Sequence, residues 1–173
     1  MGLDITAIKN ATFVRMHDDG EDDWYDEGLY RVRANSDFPG RESPLVADGL
    51  YSYTESMRCL GLSYIGYSIW RDRLAKLAGY PAVETEGPFH RVEPRHDAGC
   101  RDAGAGPFYE LIWFSDCKGS IGTEACKKLL VDFDKWDELA SSSCGDVDWF
   151  YRVYRKLHDG VRLAADGGFL DFG

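Results

Sequence analysis

No stretch of this chain is apolar enough for long enough to cross a membrane as a helix. Basic charge is in short supply: 20 Lys and Arg stand against 30 Asp and Glu, a formal net charge of −10. A nonspecific nucleic-acid binder needs the opposite balance, because phosphate neutralisation supplies most of its affinity. Direct nucleic-acid binding is therefore disfavoured. Cysteine is sparse and odd in number: five, at irregular spacing, give no disulfide framework. That fits a reducing, cytoplasmic setting. The first residues lack the basic and apolar regions of a secretory leader and read instead as a first strand. Also missing are a nucleophile elbow, a zincin helix, a P-loop and a dinucleotide fingerprint, so no cofactor is named by motif.

What is present suits a single α+β domain over 1–173. Hydrophobic residues make up 44% of the chain, enough for a core without staples. The acidity is uneven: residues 1–50 hold 11 acids and 5 bases. Residues 3–16 are strand-forming, with Asn10 as a turn or bulge. An acidic loop follows at 18–27, and Leu29–Arg33 alternates like a half-exposed strand. The two strands read as a hairpin joined by that loop. Residues 35–49 are irregular, and Leu50–Tyr53 is a short strand.

Tyr67 to Ala78 has helical periodicity, with Ser63 or Ser68 as cap. Four of the six prolines fall between 80 and 107, and that stretch reads as an irregular excursion. Phe108–Phe114 reads as a central strand, apolar on both faces. Helices are predicted over Thr123–Ala140 and Asp146–Ala165, and Phe169–Phe172 reads as a short strand or tail. The expected architecture is a small, largely antiparallel sheet with three main helices packed mostly on one face.

Candidate sites follow from this layout. If Phe108–Phe114 is a strand running into a helix, Glu110 and Asp116 share one face. Lys118, Ser120 and the loop amides could then receive an anion at the helix start. Ordinary turn chemistry explains the same residues if Asp116 caps the turn and Gly119 and Gly122 supply backbone angles. Cys117 lies in the loop, where a helix start could lower its pKa. Ser63, Tyr64, Tyr67, Trp70 and Arg71 offer hydroxyls, aromatic planes and a cation for a phosphorylated ligand. A capped helix with Trp70 in the core explains them equally. Arg71, Ser115 and Asp116 are expected to face one pocket, with both helix starts at one sheet edge. The acidic loop has no EF-hand glycine in place and is a solvated tip or a surface for a basic partner. His90, His96 and Cys100 lack a fourth ligand, so no metal site is expected.

Three blocks carry a resemblance: Met1–Ala7, Ser63–Arg71 and Phe114–Gly122. Together they resemble a group of small bacteriophage- and prophage-encoded proteins of unassigned activity. The resemblance implies a phage accessory protein acting in the bacterial cytoplasm, such as an inhibitor of host defence. The leading expectation is a binding protein that sequesters a small, phosphorylated ligand or blocks a host protein. The alternative is a small hydrolase or nucleotide-processing enzyme using Glu110, Asp116 and Cys117.

Overall fold

A computed structural model describes residues 2–18, 28–144 (without the Cys144 side chain) and 148–173. The fold is α+β, built on antiparallel sheets. The main sheet has four strands in the order β5 (Glu55–Ser63), β1 (Gly2–Lys9), β9 (Phe169–Phe172), β8 (Gly119–Ile121). The first and last strands of the described chain thus lie side by side at its centre.

Alternation along β1 sends Leu3, Ile5 and Ala7 to one face, where Leu60, Leu170, Phe172 and Ile121 join them. The long helices α1 (Tyr64–Leu77), α4 (Thr123–Cys144) and α5 (Trp149–Ala164) cover that face. Trp70, Leu129, Phe133, Phe150, Val153 and Leu157 share this one core, as their helical spacing predicts. Ser63 caps α1, its Oγ accepting from the Gly66 N–H at 3.0 Å, and Asp148 caps α5 through the Phe150 N–H at 2.6 Å.

The rear face carries a second, smaller core of Ile8, Phe169, Val32 and Tyr51. A three-stranded sheet supplies part of its cover, in the order β2 (Thr12–Met16), β4 (Gly49–Ser52), β3 (Tyr30–Arg31). The expected hairpin of β2 with β3 does not form. Both pair with β4, whose Tyr51 stands in register with Phe13 on one side and Tyr30 on the other. β4 takes the middle because Gly49, Leu50 and Tyr51 are all buried, whereas β2 is mostly exposed. Of the acidic loop expected at 18–27, only Asp18, which is exposed, is described, and residues 19–27 lie outside the described residues.

Three further expectations are corrected. Residues 80–107 are not irregular. They hold a hairpin of β6 (Val83–Glu86) with β7 (Val92–Arg95), and then α2 (His96–Ala103), which ends at left-handed Gly104. Phe108–Phe114 is not a strand. Its centre is a single helical turn, α3 (Tyr109–Ile112), entered through Phe108 at φ 56°. The Phe108 N–H donates to Asp132 of α4 at 2.8 Å, so the run is buried by neighbouring helices and not by a ladder. A short, wholly apolar run is ambiguous between these two outcomes. Finally, β5 was not expected at all, since its small and polar residues hide the alternation.

Asp171 sits in a polar row on the rear face, in register with Thr6 and Ser120. Burial pushes its carboxyl up to about 6, against the pull of Arg33 at 3.5 Å. A raised carboxyl pKa means that the folded state holds the proton more tightly than the unfolded one. The folded state is therefore penalised as pH rises through about 6, and the penalty vanishes below the unfolded value of 3.8. Asp171→Asn is expected to stabilise the protein by about 2–3 kcal/mol near pH 7–8, a difference that fades toward pH 4. Urea melts of both proteins across that range check this; a constant difference would contradict it.

Candidate functional site

The second turn of α1 divides its residues by face. Tyr67 and Trp70 point inward and are fully buried, stacked at 6.0 Å. The Trp70 indole donates to the Phe150 carbonyl at 3.2 Å, tying α1 to α5. Burial raises the Tyr67 phenol pKa, and its hydroxyl has no hydrogen-bond partner. Arg71 lies on the next face, with its guanidinium 4.7 Å above the Tyr67 ring.

Arg71 reaches the loop that follows α3. Its Nη1 donates to the Phe114 carbonyl at 2.6 Å, and its Nη2 stands 3.7 Å from the Asp116 carboxylate. The loop is shaped to receive it. Ser115 Oγ accepts from the N–H groups of Cys117 and Lys118 at 3.3 and 3.1 Å. Asn35 holds the Lys118 carbonyl at 2.9 Å, and Arg41 holds the Trp113 carbonyl at 3.1 Å. Phe114 packs on Phe172 of the central sheet at 4.9 Å. Gly119, at φ 129°, then turns the chain into β8.

The structure thus brings Arg71 and Asp116 within 3.7 Å of each other, but not by the expected route. Ser115 turns to the amides of its own loop, and neither Ser115 nor Asp116 lines the cleft onto which Arg71 opens. In register, Gly2 pairs with Ser63 at one end of the main sheet, where α1 begins. At the other end Ile8 pairs with Phe169, and Thr123 Oγ1 donates to the adjacent Gly168 carbonyl at 2.6 Å, where α4 begins. The two helix starts lie at opposite ends and form no common anion-attracting rim. The loop, not the start of α4, makes the meeting.

Arg71 opens onto a cleft of about 150 Å³ between α1, the β6–β7 hairpin, α2 and α3. Three guanidinium groups line it: Arg71, Arg95 and Arg101. Arg95 is 5% exposed and fully engaged. It clamps Asp97 with Nε at 2.9 Å and Nη2 at 2.7 Å, and it donates to Ser68 Oγ at 3.0 Å. Arg71 is less completely paired: its Nε is buried without a hydrogen-bond partner, and 3.7 Å to Asp116 is too long for one. Arg101 lies over the Trp113 ring at 5.6 Å and pairs with exposed Asp102 at 3.2 Å. Trp113, Ile112 and Pro88 give the cleft an apolar side.

The other expected residues take separate places. Ser63 is a helix cap, and Tyr64 packs partly buried against the core. Glu110 pairs with Lys128 of α4 at 2.5 Å, so it shares no strand face with Asp116. Lys118 is exposed. Ser120 is buried on the rear face, accepting from the Arg33 N–H at 2.9 Å. Cys117 is exposed, with Ser115 Oγ 3.7 Å from its sulfur. His90 pairs with Glu86 at 2.6 Å, while His96 Nδ1 meets the Tyr80 carbonyl at 2.6 Å. Cys100 is buried, which pushes its thiol up to about 11. Among the described residues no cluster of His, Cys, Asp and Glu is placed to hold a metal ion, and no helix is long and apolar enough to cross a membrane.

Arg95, Arg101 and Trp113 escaped the sequence reading as cleft residues. The usable signal was Val92-Glu93-Pro94-Arg95, which alternates and follows the Gly87-Pro88 turn pair. No protein-family model matches the chain, and comparison with curated proteins and with solved structures also gives no match.

Proposed function

We propose that this chain is a binding protein, not an enzyme, and that the Arg71 cleft holds a small anion. The observation that carries this reading is the incomplete pairing of Arg71 in a cleft lined by two further guanidinium groups. Asp97 neutralises Arg95, Asp102 pairs with Arg101 and Glu86 also lines the cleft, so the attraction for an anion rests chiefly on Arg71, whose pairing with Asp116 is loose. A phosphate or carboxylate there would accept from the guanidinium groups that line the cleft, each charge-assisted hydrogen bond contributing about 1.5–3 kcal/mol. The cleft, about 150 Å³, is smaller than the usual pocket for a drug-sized ligand. It suits a headgroup, with the rest of the ligand lying against Trp113.

The resemblance to phage-encoded accessory proteins supplies a setting for such a binder. In a bacterial host it would sequester a small phosphorylated molecule used in defence signalling. The hydrolase alternative draws no support from the geometry, because Glu110 and Asp116 each face a different cation. The acidic-surface reading rests mostly on residues 19–27, which lie outside the described residues.

Calorimetric titration with a nucleoside monophosphate, its parent nucleoside and inorganic phosphate tests the reading. The monophosphate should bind and the nucleoside should not. Arg101→Ala should weaken binding by roughly tenfold, equivalent to about 1.4 kcal/mol. Arg71→Gln should abolish it while leaving the circular dichroism unchanged. Equal binding of nucleoside and monophosphate, or undiminished binding by Arg71→Gln, sinks the proposal.

A further inference from the structure

We propose that the free edge of the main sheet is a second binding site, independent of the Arg71 cleft, which accepts an extended acidic segment of another protein as a fifth strand. β5 ends the strand order and is paired on one side only, by β1. Among the described residues, no backbone hydrogen bond joins residues 55–61 to any element but β1. Such an edge presents unpaired N–H and C=O groups ready for another strand.

Natural edges are blunted by charges, prolines or bulges. The first half of β5 has such guards: Glu55, Arg58 and the register shift opposite Ile5 and Thr6. Its second half, Leu60-Gly61-Leu62-Ser63, carries no charge and no proline. The free edge is therefore open over the stretch where it borders a groove.

That groove, of about 260 Å³, separates the second half of β5 from α5. Leu62, Trp149 and Val153 give it an apolar floor, and Arg152 and Lys156 stand at its rim. Both cations are exposed, and neither has an ion-pair partner among the described residues. Two exposed cations with no ion pair among the described residues, beside an apolar groove, are notable in a chain of net charge −10. They lie four residues apart on one helix, a rise of about 6 Å. Carboxylates two residues apart on a strand repeat at about 6.8 Å, so one acidic face of an added strand matches both. A second copy of this chain fits worse, because its β5 would bring one carboxylate, Glu55, to the helix side of the sheet, where two cations stand.

The test uses a capped hexapeptide alternating Asp and Val, the same peptide with Lys for Asp, and a version N-methylated on alternate amides. The acidic peptide should bind and shift the backbone NMR signals of Leu60, Gly61 and Leu62. The Lys peptide and the N-methylated peptide should not bind. Arg152→Glu combined with Lys156→Glu alters only exposed residues and should weaken binding by at least roughly tenfold. The proposal is overturned if the acidic peptide fails to bind, if the N-methylated peptide binds as well, or if the shifts map elsewhere. Sedimentation showing a dimer that this charge reversal leaves intact and that excludes the peptide would overturn it too.

Discussion

Phe150→Ala is expected to lower stability by about 3–5 kcal/mol, the range for truncating a buried aromatic. Phe150 is 1% exposed and sits where α1 meets α5. Its ring stacks on Trp70 at 6.0 Å and tilts against Tyr154 at 6.3 Å, while Arg73 lies over it at 4.8 Å. The change removes the whole ring, whose neighbours belong to two helices, so neither helix can close the gap alone. The backbone carbonyl that accepts from Trp70 remains, and the loss therefore reports packing rather than that hydrogen bond. Denaturant melts measure it. A loss below about 0.5 kcal/mol would show that α5 does not pack as described, since that is the scatter of ordinary surface changes.

Gly122→Ala is the second large effect, and its cause is space, not backbone angle. A Cβ there would overlap the carbonyl oxygens of Glu42 and Ser43. Backbone oxygens cannot swing aside as a side-chain tip can. The segment is also fastened in place, because the Gly122 N–H donates to the Arg41 carbonyl at 2.8 Å. The substitution must push residues 41–43 away from the junction of β8 and α4. A cost of about 3 kcal/mol or more is expected, the upper end for overpacking that cannot relax. Gly104→Ala is the contrast. It has φ 71° and nothing within 4 Å, so it should cost only the left-handed penalty of about 1–2 kcal/mol. Equal costs in parallel melts would mean that crowding at Gly122 is not the reason it is glycine.

The helices were legible because their stripes are long. Phe150, Val153, Tyr154, Leu157, Val161 and Ala164 repeat over four turns of α5, and all are buried. In α4, Cys126, Leu129, Phe133 and Ala140 are buried, while Leu130 and Trp136 pack partly buried. Short elements were less legible. Phe108–Phe114 is apolar throughout, and nothing local tells a clamped helical turn from a core strand. Phe169–Phe172 reads equally as a short strand or a tail, and it is the strand between β1 and β8. Only long-range pairing could reveal that.

The site was half legible. Arg71 stood out as a cation beside aromatic residues at a helix start, and its meeting with Asp116 was anticipated. The reason given for that meeting, two helix starts at one sheet edge, was wrong. The wall that completes the cleft comes from the hairpin and α2, within a stretch whose prolines and glycines masked both. Pro94 sits inside β7 of a two-stranded hairpin, a place where proline is tolerated because neither strand is central.

Native mass spectrometry of freshly purified protein, run beside Arg71→Gln, tests the central claim most directly. An anion-holding cleft predicts a small adduct on the wild type, displaced by added nucleoside monophosphate and missing from Arg71→Gln. Bare protein that takes up no added monophosphate, or the same adduct on both proteins, would contradict it.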